Sequence, residues 1–335
     1  MEKINDTIHI VMTPVRNEAW VLRAFLTATS AWADYIVIAD QMSTDGSREI
    51  YKEFPKVTVI DNKNPEFNEA ERQSMLVAKA REIAAGRDTL LWGLDADEII
   101  AADAFETDDW KEIMDSQPGA VFWFRWAQLT HDKHHYFNTK DPYPWLFHDD
   151  GVEPHGNYVR AMHSMRIPYP KDEHDMHYVN DFRVLHLGPA PLNRVKSKER
   201  FYIFVDWQVN HTNPVSLGRS YIGSNAYPDE QLDLPDSMIY TLEKDGWDMW
   251  SMIDLDEEHS WMDDYIVEHL NKYPMKQMSK LPLWTPEFLQ SYQLKDPRSW
   301  YIKLFHWYIY HFQARKNSIF VRALDKVLKR CCRVV

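Results

Sequence analysis

The sequence predicts an α/β protein with a mostly parallel central sheet. Over the first 130 residues, short runs rich in β-branched residues alternate with helical patterns, which is typical of parallel strands joined by helices. We expect strands at Thr7–Met12, Tyr35–Ala39, Val57–Ile60, Thr89–Leu94 and Ala120–Trp126. Helices are expected at Glu18–Ala31, Asp45–Phe54, Glu69–Ala85 and Asp108–Asp115.

The second half of the chain has a weaker pattern. Between Thr130 and Tyr178 the periodicity fades and Pro, His, Tyr and Asp dominate, which predicts long loops over the sheet. One more strand is expected at Phe182–Leu187, and after Asn193 the pattern becomes helical and irregular. The chain is therefore expected to combine an α/β sheet with a helical C-terminal extension.

Composition excludes several classes of protein. The net charge of −13 argues against nucleic-acid binding, which needs a basic surface to displace counterions. No window approaches the roughly 18 apolar residues of a membrane-spanning helix, and no secretory signal is visible at the N-terminus. The two cysteines, Cys331 and Cys332, are adjacent and cannot form a disulfide framework, which fits a reducing compartment. We therefore expect a cytoplasmic protein.

An acidic stretch follows the apolar run that ends at Leu94. In an extended chain Asp95 and Asp97 project to the same side, and ligands of open α/β sheets gather at the carboxyl ends of strands. Two carboxylates at such a place can hold Mg²⁺ or Mn²⁺ and leave open positions for phosphate oxygens. The alternative is a solvated acidic turn that ends with Glu98.

Two further polar segments follow the first two strands. The first is Thr13-Pro14-Val15-Arg16-Asn17-Glu18, and the second is Ala39-Asp40-Gln41-Met42-Ser43-Thr44-Asp45-Gly46. Either segment alone is explained by turn chemistry. Their order and spacing before the acidic stretch are the informative feature.

Together the three segments resemble the motifs of family 2 glycosyltransferases of the GT-A type. That resemblance covers about Ile8 to Gly188 and implies a Rossmann-like GT-A fold over residues 1–225, with a nucleotide half at 1–130 and an acceptor half at 131–225. Residues 226–335 would form the mainly helical extension. Gln41 and Met42 depart from the residues that many members carry, so the resemblance leaves the nucleotide base open.

The resemblance also implies an activity and a set of site residues. The activity is transfer of a sugar from a nucleotide-sugar donor to a carbohydrate or glycolipid hydroxyl, with inversion and with Mn²⁺ or Mg²⁺. The residues implied at the nucleotide are Pro14, Glu18, Asp40, Asn68, Arg72 and Asp95. Asp97 is implied as the ligand of a metal that bridges the diphosphate, with Asp95 at the ribose or the metal.

Histidines concentrate in the second half of the predicted domain. Nine of the 15 lie between His131 and His186, but their spacings match no zinc signature. His186 ends an apolar strand, and similar enzymes place a histidine there as a further metal ligand. The alternative for His186 is a hydrogen-bonded core histidine.

The catalytic base is the least defined element. An inverting transfer needs a carboxylate that deprotonates the acceptor hydroxyl, and Asp181 is our first candidate, with Asp175 and Glu153 as rivals. Farther along, Lys198 or Arg200 is expected near phosphate or acceptor, and Lys196 on a solvated face.

The C-terminal region is aromatic and then basic. From Arg298 onward there are nine Lys and Arg residues and one acid, Asp325. The apolar positions of the last predicted helix are Phe320, Ala323, Leu324, Val327 and Leu328. Such a helix either lies on an anionic membrane or packs on the acidic remainder of the chain.

Two other classes of function stay open. A His-rich metallohydrolase would use the segment between His131 and His186 and would bind zinc. A non-catalytic nucleotide- or sugar-binding protein would keep the fold without turnover, and the departures at Gln41 and Met42 allow it.

Overall fold

The computed structural model describes residues 7–152, 162–168, 176–223, 227–242, 247–256 and 260–331. The chain divides into two compact units. The first comprises Met1–Pro191 and Tyr227–Leu255, and the second comprises Leu192–Ala226 and Asp256–Val335. The boundary predicted at residue 225 does not coincide with this division, because Tyr227–Leu255 returns to the sheet-containing unit while Leu192 already begins the helical one.

The first four strands form the predicted parallel sheet. They are β1 (Ile8–Val15), β2 (Tyr35–Asp40), β3 (Val57–Asp61) and β4 (Thr89–Gly93). Their spatial order is β3-β2-β1-β4, and each neighbouring pair is parallel. The predictions for these strands are therefore confirmed, and the α/β class with them.

Helices cover both faces of these strands. They are α1 (Ala19–Ser30), α2 (Ser47–Tyr51), α3 (Glu69–Ala84) and α4 (Asp108–Met114). Because side chains alternate along a strand, Val11 packs with α1 in one core and its neighbours Ile10 and Met12 pack with α3 in the other. The apolar run of β1 is thus buried on both sides, as in sheets sandwiched between helices.

The remaining strands extend the sheet with mixed directions. They are β5 (Glu98–Ile100), β6 (Val121–Leu129), β7 (His135–Asn138), β8 (Tyr143–His148), β9 (Met176–His186) and β10 (Leu232–Asp233). β8 joins β4 to β6 through antiparallel pairs, whereas β9 is parallel to β6 and antiparallel to β5. The sheet is therefore entirely parallel over its first part and mixed over the rest.

The prediction of long loops between Thr130 and Tyr178 is wrong in part. The structure has strands β7 and β8 there, and β9 begins at Met176. Pro144 argues against a strand at the position of β8, because proline has no amide hydrogen to donate to a strand ladder and is confined to sheet edges or bulges. It lies opposite Trp123, where the pairing of β6 with β8 shifts register.

The second unit is helical, as predicted after Asn193. Its helices are α5 (Leu192–Asn210), α6 (Pro214–Tyr221), α7 (Trp261–Leu270), α8 (Met275–Met278), α9 (Pro286–Ser291), α10 (Trp300–His311) and α11 (Ile319–Cys331). A two-stranded ribbon of β11 (Thr241–Leu242) and β12 (Trp247–Asp248) belongs to the first unit. In the described part of the chain, no helix combines the length and apolarity needed to cross a membrane.

A buried histidine on α10 makes the stability of the second unit depend on pH. Burial lowers the pKa of His306 to about 4, although its Nε2 donates to the Lys280 carbonyl at 3.0 Å. As the pH falls, His306 is therefore protonated in the unfolded chain before it is protonated in the folded chain. Its contribution to the free energy of unfolding is complete above the ordinary pKa of about 6.5 and is lost as the pH falls toward 4.

We expect the unfolding free energy of the second unit to fall by about 2 kcal/mol between pH 7 and pH 5 because of this one group. The variant His306→Gln should flatten that dependence in thermal unfolding followed at both pH values. The matched control is His311→Gln, on the exposed side of the same helix. Equal pH dependence in both variants would contradict the assignment.

Candidate functional site

The carboxyl ends of β1, β2 and β4 lie side by side at one edge of the sheet. Val15 pairs with Asp40, Met12 pairs with Gly93, and the amide of Leu94 donates to the Met12 carbonyl at 3.2 Å. The three sequence segments that follow these strands are therefore neighbours. This is the edge at which ligands of α/β sheets bind.

The loops after β1 and β2 are joined by hydrogen bonds. The Asn17 carboxamide oxygen accepts from the Thr44 amide at 2.7 Å, and the Asn17 amide donates to the Ser43 hydroxyl at 2.9 Å. The Ala19 amide donates to Asp45 at 2.8 Å. Asn17 has a φ of +55°, a conformation that asparagine tolerates better than most residues. Pro14 and Glu18 are predicted at the nucleotide and are half-buried: Pro14 is the second-last residue of β1, and Glu18 lies in the loop that follows β1.

Asp40 is an internal anchor of the second loop. Its buried carboxylate accepts from the Ser43 amide at 3.2 Å, from Arg48, and from the Tyr51 hydroxyl at 2.8 Å. Burial and the adjacent Asp40 charge raise the pKa of Tyr51, which keeps that hydroxyl a donor. The predicted contact of Asp40 with a nucleotide base would require these partners to be exchanged.

Gln41, one of the departures from the family motif, holds the next loop. Its carboxamide donates to the carbonyls of Asn64 at 2.8 Å and Glu66 at 3.0 Å. A carboxylate has no hydrogen to donate to these two carbonyls, so the departure has a local structural reason.

The two residues predicted at the start of α3 differ in role. Asn68 caps the helix, since its side chain accepts from the Glu71 amide at 3.2 Å. Arg72 lies over the Phe67 ring at 5.6 Å, and its Nε is buried without a hydrogen-bond partner among the described residues. Arg72 therefore keeps a donor that a ligand can use, whereas Asn68 is explained by capping.

The acidic stretch meets His186 across a strand pair. β5 pairs with β9 so that Glu98 lies opposite His186, and the Leu187 amide donates to the Asp97 carbonyl at 2.8 Å. Asp97 Oδ2 lies 3.5 Å from His186 Nε2. Asp97, Glu98 and His186 each offer an atom within 4.8 Å of the others, and the described residues contain no other group of this kind.

The ring of His186 is fixed by its neighbours. Its Nδ1 lies 2.7 Å from the Gln128 carboxamide oxygen, and the ring stacks on Trp126 at 5.0 Å. Because that oxygen can only accept, Nδ1 is the donor in this contact, and Nε2 is the ring nitrogen on the side of Asp97. A ligating histidine is typically oriented by a hydrogen bond from its second nitrogen in this way.

Gly188 leaves the space in which the two side chains meet. A Cβ at this position would lie 2.5 Å from His186 Nε2 and 3.0 Å from Asp97 Oδ2, closer than real contacts allow. We expect Gly188→Ala to displace the ring and to weaken Mn²⁺ binding about 10-fold or more, measured by calorimetric titration. Gln128→Leu should act in the same direction.

The matched control for these variants is Gln117→Leu, at an exposed glutamine outside the cluster. Circular dichroism should show that Gly188→Ala keeps its secondary structure. An unchanged Mn²⁺ affinity in Gly188→Ala would contradict the position assigned to the cation.

Beside this pair, Arg166 binds the two other acids of the stretch. It forms ion pairs with Asp95 and, at 2.6 Å, with Glu98, and it lies 4.9 Å over the Trp145 ring. Glu98 also accepts from the Trp126 indole at 2.9 Å and from the Asp95 amide at 2.9 Å. Burial raises the pKa of Glu98, and Arg166 opposes that shift.

This network bears on the prediction that Asp95 is a metal ligand, which stays a prediction. The Asp95 carboxylate is paired with Arg166 and is outside the Asp97–Glu98–His186 group. The oxygens of Glu98 accept three hydrogen bonds, from the Asp95 amide, the Trp126 indole and Arg166. No motif in the sequence indicates Arg166, whose backbone and Cβ can lie against Gly93 because Gly93 has no side chain.

Asp181 is badly placed for the role of base. It lies five residues before His186 on β9, which is about 16 Å along a strand. Its side chain is exposed, and its amide donates to Asp109 at 2.6 Å. A base must reach the hydroxyl that it deprotonates, so this position disfavours Asp181, and its role as base stays a prediction. Its rivals Asp175 and Glu153 lie outside the described residues.

The basic residues predicted near phosphate belong to α5, in the second unit. Arg200 is buried in an ion pair with Asp263, 2.8 Å from Nε to Oδ1, and this occupies its guanidinium. That arrangement contradicts a phosphate role for Arg200. Lys196 is exposed, as predicted, and Lys198 is half-buried.

The described histidines of the segment between His131 and His186 do not form one cluster. His148 bonds to Asp88 at 2.7 Å, His135 to Asp132 at 2.7 Å, and His177 to Glu112 at 2.8 Å. Each has its own carboxylate partner, so the metallohydrolase alternative finds no support among the described histidines.

Comparison of the chain with known protein families gives no match to any family model, and comparison with curated proteins gives no match either.

Proposed function

We propose that this protein is a glycosyltransferase that uses a nucleotide-sugar donor on a GT-A fold. The observation that carries the proposal is the Asp97–His186 pair, 3.5 Å apart at the carboxyl edge of the sheet. The order β3-β2-β1-β4, followed by antiparallel strands, supports the same fold. Motif order along the chain and geometry at the edge both support this proposal.

Asp97 and His186 would hold a divalent cation. One carboxylate and one imidazole form a mixed donor set that suits Mn²⁺ better than Mg²⁺, which prefers oxygen ligands alone. When bound, the cation supplies Lewis-acid neutralisation of the departing nucleoside diphosphate. Gln128 orients His186 for this task, and Arg166 pairs with Asp95 and Glu98 beside the Asp97–His186 pair.

The nucleotide would lie along the loops after β1 and β2. Glu18 is fixed there because its carboxylate accepts from the Trp20 indole at 2.7 Å, and Arg72 contributes its unused Nε donor. For the sugar, half-buried rings lie beside the cluster: Trp126 stacks on His186 and on Tyr143 at 5.9 Å. Aromatic faces of this kind are suited to sugar rings.

A thermal-shift screen tests the proposal. Nucleoside diphosphates and nucleotide sugars are added with and without Mn²⁺, because ligands that bind the native state raise its stability. We expect at least one nucleotide to raise the melting temperature only when Mn²⁺ is present. If no nucleotide does so in the presence of Mn²⁺, Mg²⁺ or Ca²⁺, the proposal fails.

A nucleotide-binding protein without turnover is the second candidate. The Asp40 carboxylate already accepts hydrogen bonds from Ser43, Arg48 and Tyr51. Among the described residues, no carboxylate that is predicted as the base lies at the Asp97–Glu98–His186 group. This candidate predicts nucleotide binding with no release of nucleoside diphosphate from any sugar donor. A coupled assay for that release, with simple sugars as acceptors, separates the two.

A further inference from the structure

Helices α10 and α11 carry an exposed apolar surface. On α10, Trp300, Leu304 and Trp307 repeat at helical spacing and are exposed, while Ile302 and Ile309 on the other side are buried. Trp300 has 77% of its surface in solvent. Exposed tryptophans on one helix face are unusual for surfaces that meet only water.

Helix α11 divides its apolar positions between two sides. Val321 is buried and Leu324 is half-buried, whereas Ile319 and Phe320 are 88% and 69% exposed and Val327 is also exposed. Packing of the helix against its own unit therefore accounts for only one side. We call the exposed residues of both helices the outer apolar face: Trp300, Leu304, Trp307, Ile319, Phe320 and Val327.

The two helices are held together by a buried ion pair. Asp325 on α11 binds Arg219 of α6 at 2.9 Å and accepts from the Tyr308 hydroxyl of α10 at 2.8 Å. Arg219 also donates to the Ile309 carbonyl at 2.9 Å. The outer apolar face is therefore carried by helices in a fixed relation.

A basic stripe adjoins this face on α11. Its residues are all exposed: Arg322, Lys326, Lys329 and Arg330. Asp325 is the only acid in the sequence after Arg298, and it is buried with Arg219, so no acid of α10 or α11 offsets the stripe. Exposed lysine beside tryptophan is typical of membrane interfaces, whereas protein interfaces are depleted in lysine.

We infer that the outer apolar face and the basic stripe bind the surface of an anionic lipid bilayer. The aromatic side chains would enter the boundary between headgroups and acyl chains, and the cations would contact lipid phosphates. Each Lys or Arg held at such a surface contributes about 1 kcal/mol, which is roughly fivefold in affinity. This inference does not depend on the function proposed for the sheet unit.

Vesicle co-sedimentation tests it with the full chain. The wild type should sediment with vesicles of phosphatidylcholine mixed with phosphatidylglycerol, and not with phosphatidylcholine alone. The triple variant Lys326→Gln/Lys329→Gln/Arg330→Gln should bind about 100-fold more weakly, from three losses of about fivefold each. Trp300→Gln/Trp307→Gln/Phe320→Gln should also release the protein from the vesicles.

Matched controls use exposed residues of the other unit. Lys52→Gln/Lys111→Gln/Lys140→Gln removes the same charge, and Tyr178→Gln removes an aromatic ring that is 60% exposed; both should bind as the wild type does. Three results would overturn the inference: no wild-type binding to anionic vesicles, equal binding by the triple variants, or a wild-type dimer by light scattering that the aromatic variant converts to a monomer. The last result would assign the face to a second copy of the chain.

Discussion

Replacing Arg166 by Met should lower the free energy of unfolding of the sheet unit by about 3–5 kcal/mol. The guanidinium is buried between Asp95 and Glu98 and against Trp145. Met restores most of the volume but leaves two neighbouring carboxylates without their cation. Removal of one partner of a buried ion pair is costly because the remaining charge stays desolvated and no opposite charge compensates it. Denaturant unfolding measures the loss.

A second substitution identifies the cause of that loss. Glu98→Gln removes one of the two carboxylates that lose their cation in Arg166→Met. The double variant Arg166→Met/Glu98→Gln should therefore recover part of the stability lost in Arg166→Met. The control is Arg23→Met, whose ion pair with Glu53 is exposed and should be worth less than about 1 kcal/mol. A cost below about 1 kcal/mol for Arg166→Met, or strict additivity in the double variant, would contradict the network.

Asp97→Asn should reduce metal-dependent release of nucleoside diphosphate by about 100-fold or more, equivalent to at least 2.7 kcal/mol at the transition state. The carboxamide keeps the volume of Asp97 beside His186 but removes its charge and half of its metal-binding capacity. Because Arg166 pairs with Asp95 and Glu98, we expect neither of these two acids to replace Asp97.

The control for this variant is Asp108→Asn. Asp108 is an exposed acid at the start of α4 that forms an ion pair with Lys111 of the same helix. Its release rate should equal that of the wild type. Activity of Asp97→Asn within a few fold of the wild type would remove the cation from this position.

The sequence predicts the site where local rules suffice. Strands β1, β2 and β4 are apolar runs followed by polar residues, and parallel strands bring such ends together. Asp97 and His186 are predicted as site residues because each follows or ends a strand, and the structure brings them to within 3.5 Å of each other. The parallel part of the sheet is predictable for the same reason.

Long-range contacts are not predictable in this way. Arg166 lies 68 residues from Glu98 along the chain, in a short described segment without strand or helix, and nothing local indicates their contact. The sequence predicts Arg200 and Asp40 as ligand residues. In the structure Arg200 pairs with Asp263 and Asp40 pairs with Arg48, and nothing local in the sequence indicates the first of these contacts. Asp181 is predicted as the base only from its position in the sequence. In the structure it lies on the same extended strand as His186, five residues before it.

The most direct test of the proposed cation site is electron spin-echo envelope modulation of the Mn²⁺-loaded protein. Nitrogen of a coordinated imidazole modulates the Mn²⁺ echo. The assignment of His186 Nε2 as ligand predicts this modulation in the wild type and its loss in His186→Gln, with Asp97 still present in both. A Mn²⁺ echo without nitrogen modulation in the wild type, or one unchanged in His186→Gln, would contradict the site.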